Sequence, residues 1–217
     1  MEFGTMMGLL LSGLQFTAII FVVTLVGALP LGVLVALGRM SKFKPLSLLV
    51  QFYISVMRGT PLMLQLMVVY FGPYYLFRIK VGSSYRLWAT FIGFVINYAA
   101  YFAEIYRSGI QSIPRGQYEA AEVLGYSCTQ TFMKIILPQV FKRILPAMGN
   151  EIITLVKDTS LAFVLGIMEM FTQAKAIAAA QTSMMPYVIA ALIYWVFNFV
   201  VVMVLNRIEK KMDYYHD

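Results

Sequence analysis

From residue 14 to residue 37 the chain carries no charged side chain, and that run limits the fold more than any other feature. An α-helix needs about 20 apolar residues to cross roughly 30 Å of hydrocarbon. Four later stretches qualify or nearly qualify. The pattern predicts a single all-α integral membrane domain of five transmembrane helices, over residues 14–38, 46–77, 87–107, 135–157 and 187–206. Composition agrees: 60% of the 217 residues are hydrophobic and 12% are charged, with a mean hydropathy of +0.77. Soluble domains run near 45–50% apolar and about 25% charged. A soluble fold this small could not hide so much apolar surface, and disordered chains have the opposite bias.

Charge sets the expected orientation. Five crossings put the termini on opposite faces. Eleven Lys and Arg fall in the segments 39–44, 107–143 and from 207 onward, against five (Arg78, Lys80, Arg86, Lys157, Lys175) on the other face. The positive-inside rule then predicts an external N-terminus and a cytoplasmic C-terminus. With no basic residue before it and no small-residue cleavage pattern after it, the first span reads as an anchor. Residues 46–77 would make a helix of roughly 48 Å, too long for the bilayer unless it bends, and Gly59 and Pro61 supply the expected break. The stretch 157–186 is too interrupted to cross and reads as a re-entrant or outer-surface piece.

Several chemistries lack their residues. A single cysteine, Cys128, permits no internal disulfide, and Cys128 with a single histidine, His216, offers no zinc set or nucleophile pair. Gly27 and Gly32 have the spacing of a phosphate-binding loop, but Val33 stands where its lysine must be. Any ATP must therefore be hydrolysed by another chain. The net charge of +7 fits basic cytoplasmic loops better than nucleic acid.

The loop between the third and fourth spans is the most informative. Gln117 to Leu124 are good helix formers and Gly125 ends the run, predicting a short cytoplasmic helix near residues 115–126. Its apolar side carries Tyr118, Ala121 and Leu124, and its polar side Glu119 and Glu122. Helices that rest on anionic headgroups carry Lys and Arg there instead, so acid suits a basic protein groove.

Glu119-Ala120-Ala121, Gly125 and Ile135-Ile136-Leu137-Pro138 resemble the EAA motif of ATP-binding-cassette importer permeases. The chain is similar to the polar amino-acid permeases at further stretches. These are Arg58-Gly59-Thr60-Pro61-Leu62 with Gln65 and Tyr70-Phe71-Gly72, Tyr101-Phe102-Ala103-Glu104-Ile105-Tyr106-Arg107, Gln111-Ser112-Ile113-Pro114-Arg115-Gly116-Gln117, and Asn150-Glu151 with Lys157-Asp158-Thr159-Ser160-Leu161. Ser108 departs from the family, which commonly has a second glycine there. The resemblance implies a type I importer in a bacterial inner membrane. Its other parts would be a second permease chain (a copy of this one favoured over a homologue), a dimer of cytoplasmic ATPases holding ATP and Mg, and an external substrate-binding protein. It also implies that Glu119, Ala120, Ala121, Gly125, Leu137 and Pro138 couple this chain, which has no ATPase site of its own, to that engine. Leu137-Pro138 and Leu145-Pro146 are expected to bend the start of the fourth span so that it swings with the coupling helix.

Polar groups at membrane depth mark the expected pathway, since they are costly there and usually face a cavity or a partner. Asn97 and Glu151 sit roughly 15 Å and 12 Å into their spans. Glu151, Thr154 and Asp158 share one helical face, as do Asn97, Tyr101 and Glu104. Asn97, Tyr101, Glu151, Thr154, Asp158 and Thr159 are the candidate substrate contacts. Asp158-Thr159-Ser160 either caps a helix beginning at Leu161 or leaves free amides for a carboxylate. Glu104 reads as an ion pair with Arg107. Arg58 snorkels, pairs with Glu104 or meets a carboxylate; Gln65 and Asn198 read as interhelical glue. Buried acid without a base on its own helix points to basic amino acids (Arg, Lys or His) as cargo. Glutamine- or glutamate-type cargo, or a carrier driven by an ion gradient, are the alternatives.

Overall fold

The computed structural model describes residues 2–211, so His216 lies outside the described residues. Nine α-helices are described: α1 (Phe3–Arg39), α2 (Lys44–Gly59), α3 (Leu62–Phe77), α4 (Tyr85–Gln111), α5 (Arg115–Val123), α6 (Cys128–Thr131), α7 (Leu137–Asp158), α8 (Met170–Gln181) and α9 (Met185–Lys211). A π-helical turn, Phe132–Ile136, leads into α7, and a 3-10 helix, Thr159–Leu165, leaves it.

Helix α1 begins at Phe3, eleven residues before the expected start of the first span. Met6, Leu10 and Gly13 are buried there against Met170, Ala174 and Ile177 of α8. Residues 4–13 contain glycine, serine and threonine, which weaken the hydropathy signal, but tertiary packing rather than propensity sets helix length. Its two buried hydroxyls are satisfied locally, Thr17 donating to Gly13 O (3.3 Å) and Thr24 to Ile20 O (2.7 Å).

Small residues let the helices approach closely, as is usual where no hydrophobic effect drives association. A side chain at Gly27 would meet Val95, and one at Gly32 would meet the Cβ of Phe102 at 2.9 Å. These contacts advance together along both helices, so α1 and α4 run parallel. Helix α3 runs the opposite way against α4, with Gln65 beside Asn97, Leu66 on Gly93 and Tyr70 stacked on Tyr85. Helix α7 is antiparallel to α4 as well, from Ile144 at Gly109 to Asp158 at Tyr98. The largest of three buried clusters contains Phe94, Tyr98, Phe102, Ile136, Leu155 and Val156.

Three helices, α1, α4 and α9, are long and apolar enough to cross a membrane, and the α2–α3 pair is a fourth if counted as one crossing. The expected span 46–77 is therefore not one helix: α2 and α3 meet at a 113° bend. The break falls at Thr60 and Pro61, both in extended backbone, where Pro61 was expected to place it. The expected fourth span is 22 residues long as α7, yet Lys142, Arg143, Glu151, Lys157 and Asp158 make it too charged to meet the same apolar criterion. Pro138 occupies its first turn, where a missing N–H costs nothing, and Pro146 lies within one unbroken helix. The irregularity expected from these prolines falls instead on the π turn before α7. The stretch 157–186 is broken as expected, into the 3-10 helix and α8, which a left-handed Gly166 separates.

Candidate functional site

Four parts of the chain converge on a cavity of about 260 Å³. The α2–α3 break contributes Thr60, Pro61 and Leu62; α4 contributes Asn97, Tyr98 and Tyr101; α7 contributes Glu151, Thr154 and Asp158; and Leu161 closes it from the 3-10 helix. Five of the six candidate substrate contacts thus share one space. Thr159 does not: it is fully buried and its hydroxyl donates to Val156 O at 2.7 Å. No cap forms at 158–160 either, because Asp158 and Thr159 both have right-handed helical backbone angles and helical winding continues through them. The expected cradle of free amides is absent at that point.

The polar network explains the break. Gln65 Nε2 donates to Met57 O (2.9 Å), Thr60 O (3.1 Å) and the Thr60 hydroxyl (2.8 Å). Asn97 Nδ2 donates to Met57 O (3.1 Å) and to Gln65 Oε1 (2.9 Å). Gln65 is interhelical glue, and Asn97, buried at the cavity wall, shares that work. Tyr53 adds a hydrogen bond to Ile96 O. Across the cavity the Tyr98 hydroxyl donates to Asp158 Oδ2 at 2.7 Å. Two carboxylates, Glu151 and Asp158, line the space, and no basic side chain does.

Beside it lies a charged cluster. Arg107 binds Glu104 through two hydrogen bonds of 3.0 and 2.6 Å and reaches Gln111 at 2.6 Å. Arg58 is 3.9 Å from Glu104, and its guanidinium carbon stands 5.3 Å from the centre of the Tyr101 ring.

Helix α5 spans Arg115–Val123, three residues shorter at its end than the expected helix. Leu124 is its C-cap, Gly125 takes φ +77°, and bonds run from Gly125 N–H to Glu122 O (2.9 Å) and from Tyr126 N–H to Ala121 O (3.0 Å). This is the Schellman arrangement, which favours glycine at the left-handed position. Ser127 then caps α6 through a reciprocal pair with Gln130, so a tight turn, the single turn of α6 and the π turn join α5 to α7. Of the expected apolar stripe, Ala121 is buried while Leu124 is 73% exposed and its neighbour Val123 is 88% exposed. Glu119, Ala120 and Glu122 are exposed as well. Ile136 is buried and Leu137 and Pro138 form the first turn of α7.

Two buried polar residues escape sequence reasoning. Tyr98 carries the hydrogen bond to Asp158, and its only signal is its place between Asn97 and Tyr101. Glu169, fully buried, accepts from Phe171 N–H, Thr172 N–H and the Thr172 hydroxyl (each 2.7 Å) and from Tyr194 (3.1 Å). Only its position before an apolar helix signals a cap. Among the described residues no group of three His, Cys, Asp or Glu could hold a metal.

Comparison with known proteins follows the same lines. The chain is 39% identical over 204 residues to the arginine transport system permease protein ArtQ of Bacillus subtilis (strain 168), covering 94% of this chain and 92% of that one. It is 35% identical over 209 residues to the L-cystine transport system permease protein TcyB of the same organism, covering 95% and 88%. A crystal structure of an amino acid ABC transporter with histidines matches with a TM-score of 0.86 at 34% identity, over 97% of this chain and 99% of that one. Residues 28–214 match the family described as the binding-protein-dependent transport system inner membrane component, and the chain belongs to that family of permeases.

Proposed function

We propose that this chain forms the translocation pathway of an ATP-driven importer of amino acids, with basic amino acids as the preferred cargo. The observation that carries the reading is the continuity of α7. Its first turn is joined to the exposed α5 by one tight turn, α6 and the π turn, and its far half presents Glu151 and Asp158 to the cavity. Bare Val123 and Leu124 beside exposed Glu119 suit a groove of a separate cytoplasmic ATPase, where a basic residue meets Glu119. Closure of two ATPases on ATP then moves α5, and α7 with it, biasing the cavity between inward and outward access. The alternating directions of α1, α3, α4 and α7, with α9 after them, support five crossings, and the excess of Lys and Arg on one face supports an external N-terminus. A second copy of the chain and an external binding protein complete the assembly.

Cargo chemistry follows from charge. Even a half-buried carboxylate is stabilised by a cation that offsets its desolvation, and the cavity has two half-buried carboxylates and no lining base. The α-ammonium supplies one positive group; the side chain of arginine, lysine or histidine supplies the second, which glutamine lacks. The relatives named for arginine and for cystine support an amino acid as cargo.

The test is ATP-dependent uptake of labelled arginine and glutamine by the copurified complex in vesicles. Arginine should be preferred, and Glu119→Lys should leave ATP hydrolysis running while uptake is lost. Undiminished uptake in that variant would refute the lever, and equal affinity for both amino acids would refute the cargo assignment.

A further inference from the structure

The order of residues along α4 places a second charged layer between the cavity and α5. Tyr101 lines the cavity, then Glu104 and Arg107 follow one turn apart toward Gln111 and the short helix. Arg58 reaches into this layer from the last turn of α2, beside the 113° break. Its guanidinium lies over the Tyr101 ring at 5.3 Å and 3.9 Å from Glu104. Two guanidinium groups and one carboxylate leave the layer with one net positive charge. The cavity on its other side is acidic.

The two arginines are held very differently. Arg107 is fixed by two short bonds to Glu104 and one to Gln111. Arg58 has one long ion-pair contact, a half-open side chain (45% exposed) and a ring face. Cation–π contacts at such exposed sites contribute about 0.5–1 kcal/mol, so Arg58 can leave. Gly59, next in the chain, has no atom within 4 Å of where a side chain would stand, which gives the neighbouring backbone room.

We propose that Arg58 is the charge-selecting gate on the inward side of the cargo cavity. At rest its guanidinium covers the face of Tyr101. Inward passage of a cationic cargo requires that guanidinium to swing toward Glu104, and the cargo cation takes its place over the same ring. The acids of the cavity alone would draw cations in from the α5 side; Arg58 opposes that leak until α7 moves. This rests on the reading of α5 as the cytoplasmic docking element.

The test uses the assembled complex in inverted vesicles. Cys128 is the single cysteine and is exposed, so Cys128→Ser with Thr154→Cys leaves one reporter thiol in the cavity wall. Membrane-impermeant thiol reagents, one cationic and one neutral, are added at the cytoplasmic face. With Arg58 present the neutral reagent should react faster. Arg58→Gln should raise the cationic rate about tenfold, equivalent to about 1.4 kcal/mol, with little change for the neutral reagent, and Arg58→Lys should restore the ratio. A general loosening of the structure would accelerate both reagents together, and that result, or an unchanged ratio, overturns the gate. If Arg58→Gln fails to assemble, the parent complex still decides: a faster cationic than neutral reaction is what an acidic cavity without a gate would give. The readout needs no cargo, so a failure of arginine uptake strikes the proposed cargo and leaves this test intact.

Discussion

Replacing Gln65 with leucine removes the residue that ties the α2–α3 break together while keeping its bulk. Three donor contacts from Nε2 and one accepted bond from Asn97 disappear. Some partners keep an alternative: Met57 O retains Asn97 Nδ2 at 3.1 Å, and the Thr60 hydroxyl retains Val56 O at 2.8 Å. Thr60 O and one amide hydrogen of Asn97 are orphaned. Each orphan at a buried site costs about 1–3 kcal/mol, and interhelical bonds in membranes lie at the lower end, about 0.6–2 kcal/mol. Thr60 is exposed, so water meets part of the loss at its carbonyl, and the burial gained by leucine offsets part of the rest, giving a net loss of about 1–2 kcal/mol. For a chain of this length that lowers the unfolding midpoint by about 2–8 °C. Thermal unfolding of the detergent-solubilised complex, followed by tryptophan fluorescence, reads it. Asn97→Leu makes the second arm. The double variant should lose about 1 kcal/mol less than the sum of the singles, because both remove the same Gln65–Asn97 bond. Additive losses, or a Gln65→Leu midpoint equal to that of the parent, would show that the network does not hold the break.

Two further outcomes follow from packing at the other end of the molecule. A methyl group at Gly13 would stand 2.7 Å from Met170 Cα and 2.9 Å from its nitrogen. Backbone cannot rotate away, so Gly13→Ala should cost about 1–3 kcal/mol, while Gly8→Ala, with nothing within 4 Å, should be neutral in the same thermal assay. Glu169→Ala should lower the midpoint by at least the loss of a helix cap, about 0.5–2 kcal/mol, and Glu169→Gln, which keeps one acceptor oxygen, by less; equal midpoints for the two variants would contradict the hydrogen bonds described for this carboxylate.

Much of the site was legible because helical periodicity is a reliable ruler. Glu151, Thr154 and Asp158 repeat at the right interval to share a face of α7, and Asn97 and Tyr101 do so on α4, so the two faces needed only to meet. The break at Pro61 and the tight turn at Gly125 were legible because proline and a left-handed glycine act locally. What failed depended on distant partners. The early start of α1 needed Met170 and Ala174 of α8, more than 150 residues away in the chain. Tyr98 became a cavity residue only through Asp158, and Thr159 ceased to be one because the helical winding of α7 continues through it into the 3-10 helix.

The short path from α5 to α7 has a thermodynamic corollary. The carboxylates facing Tyr98 and Tyr101 belong to α7, the helix that α5 would displace under the proposed function, and in that case the shape of the cavity and the position of α5 are linked variables. Linkage is reciprocal: if engagement at α5 alters the affinity for cargo by some factor, occupancy of the cavity must alter the affinity at α5 by the same factor. Under that proposal the pathway would also be a sensor, reporting across the bilayer, through one rod of 22 residues, whether it is full.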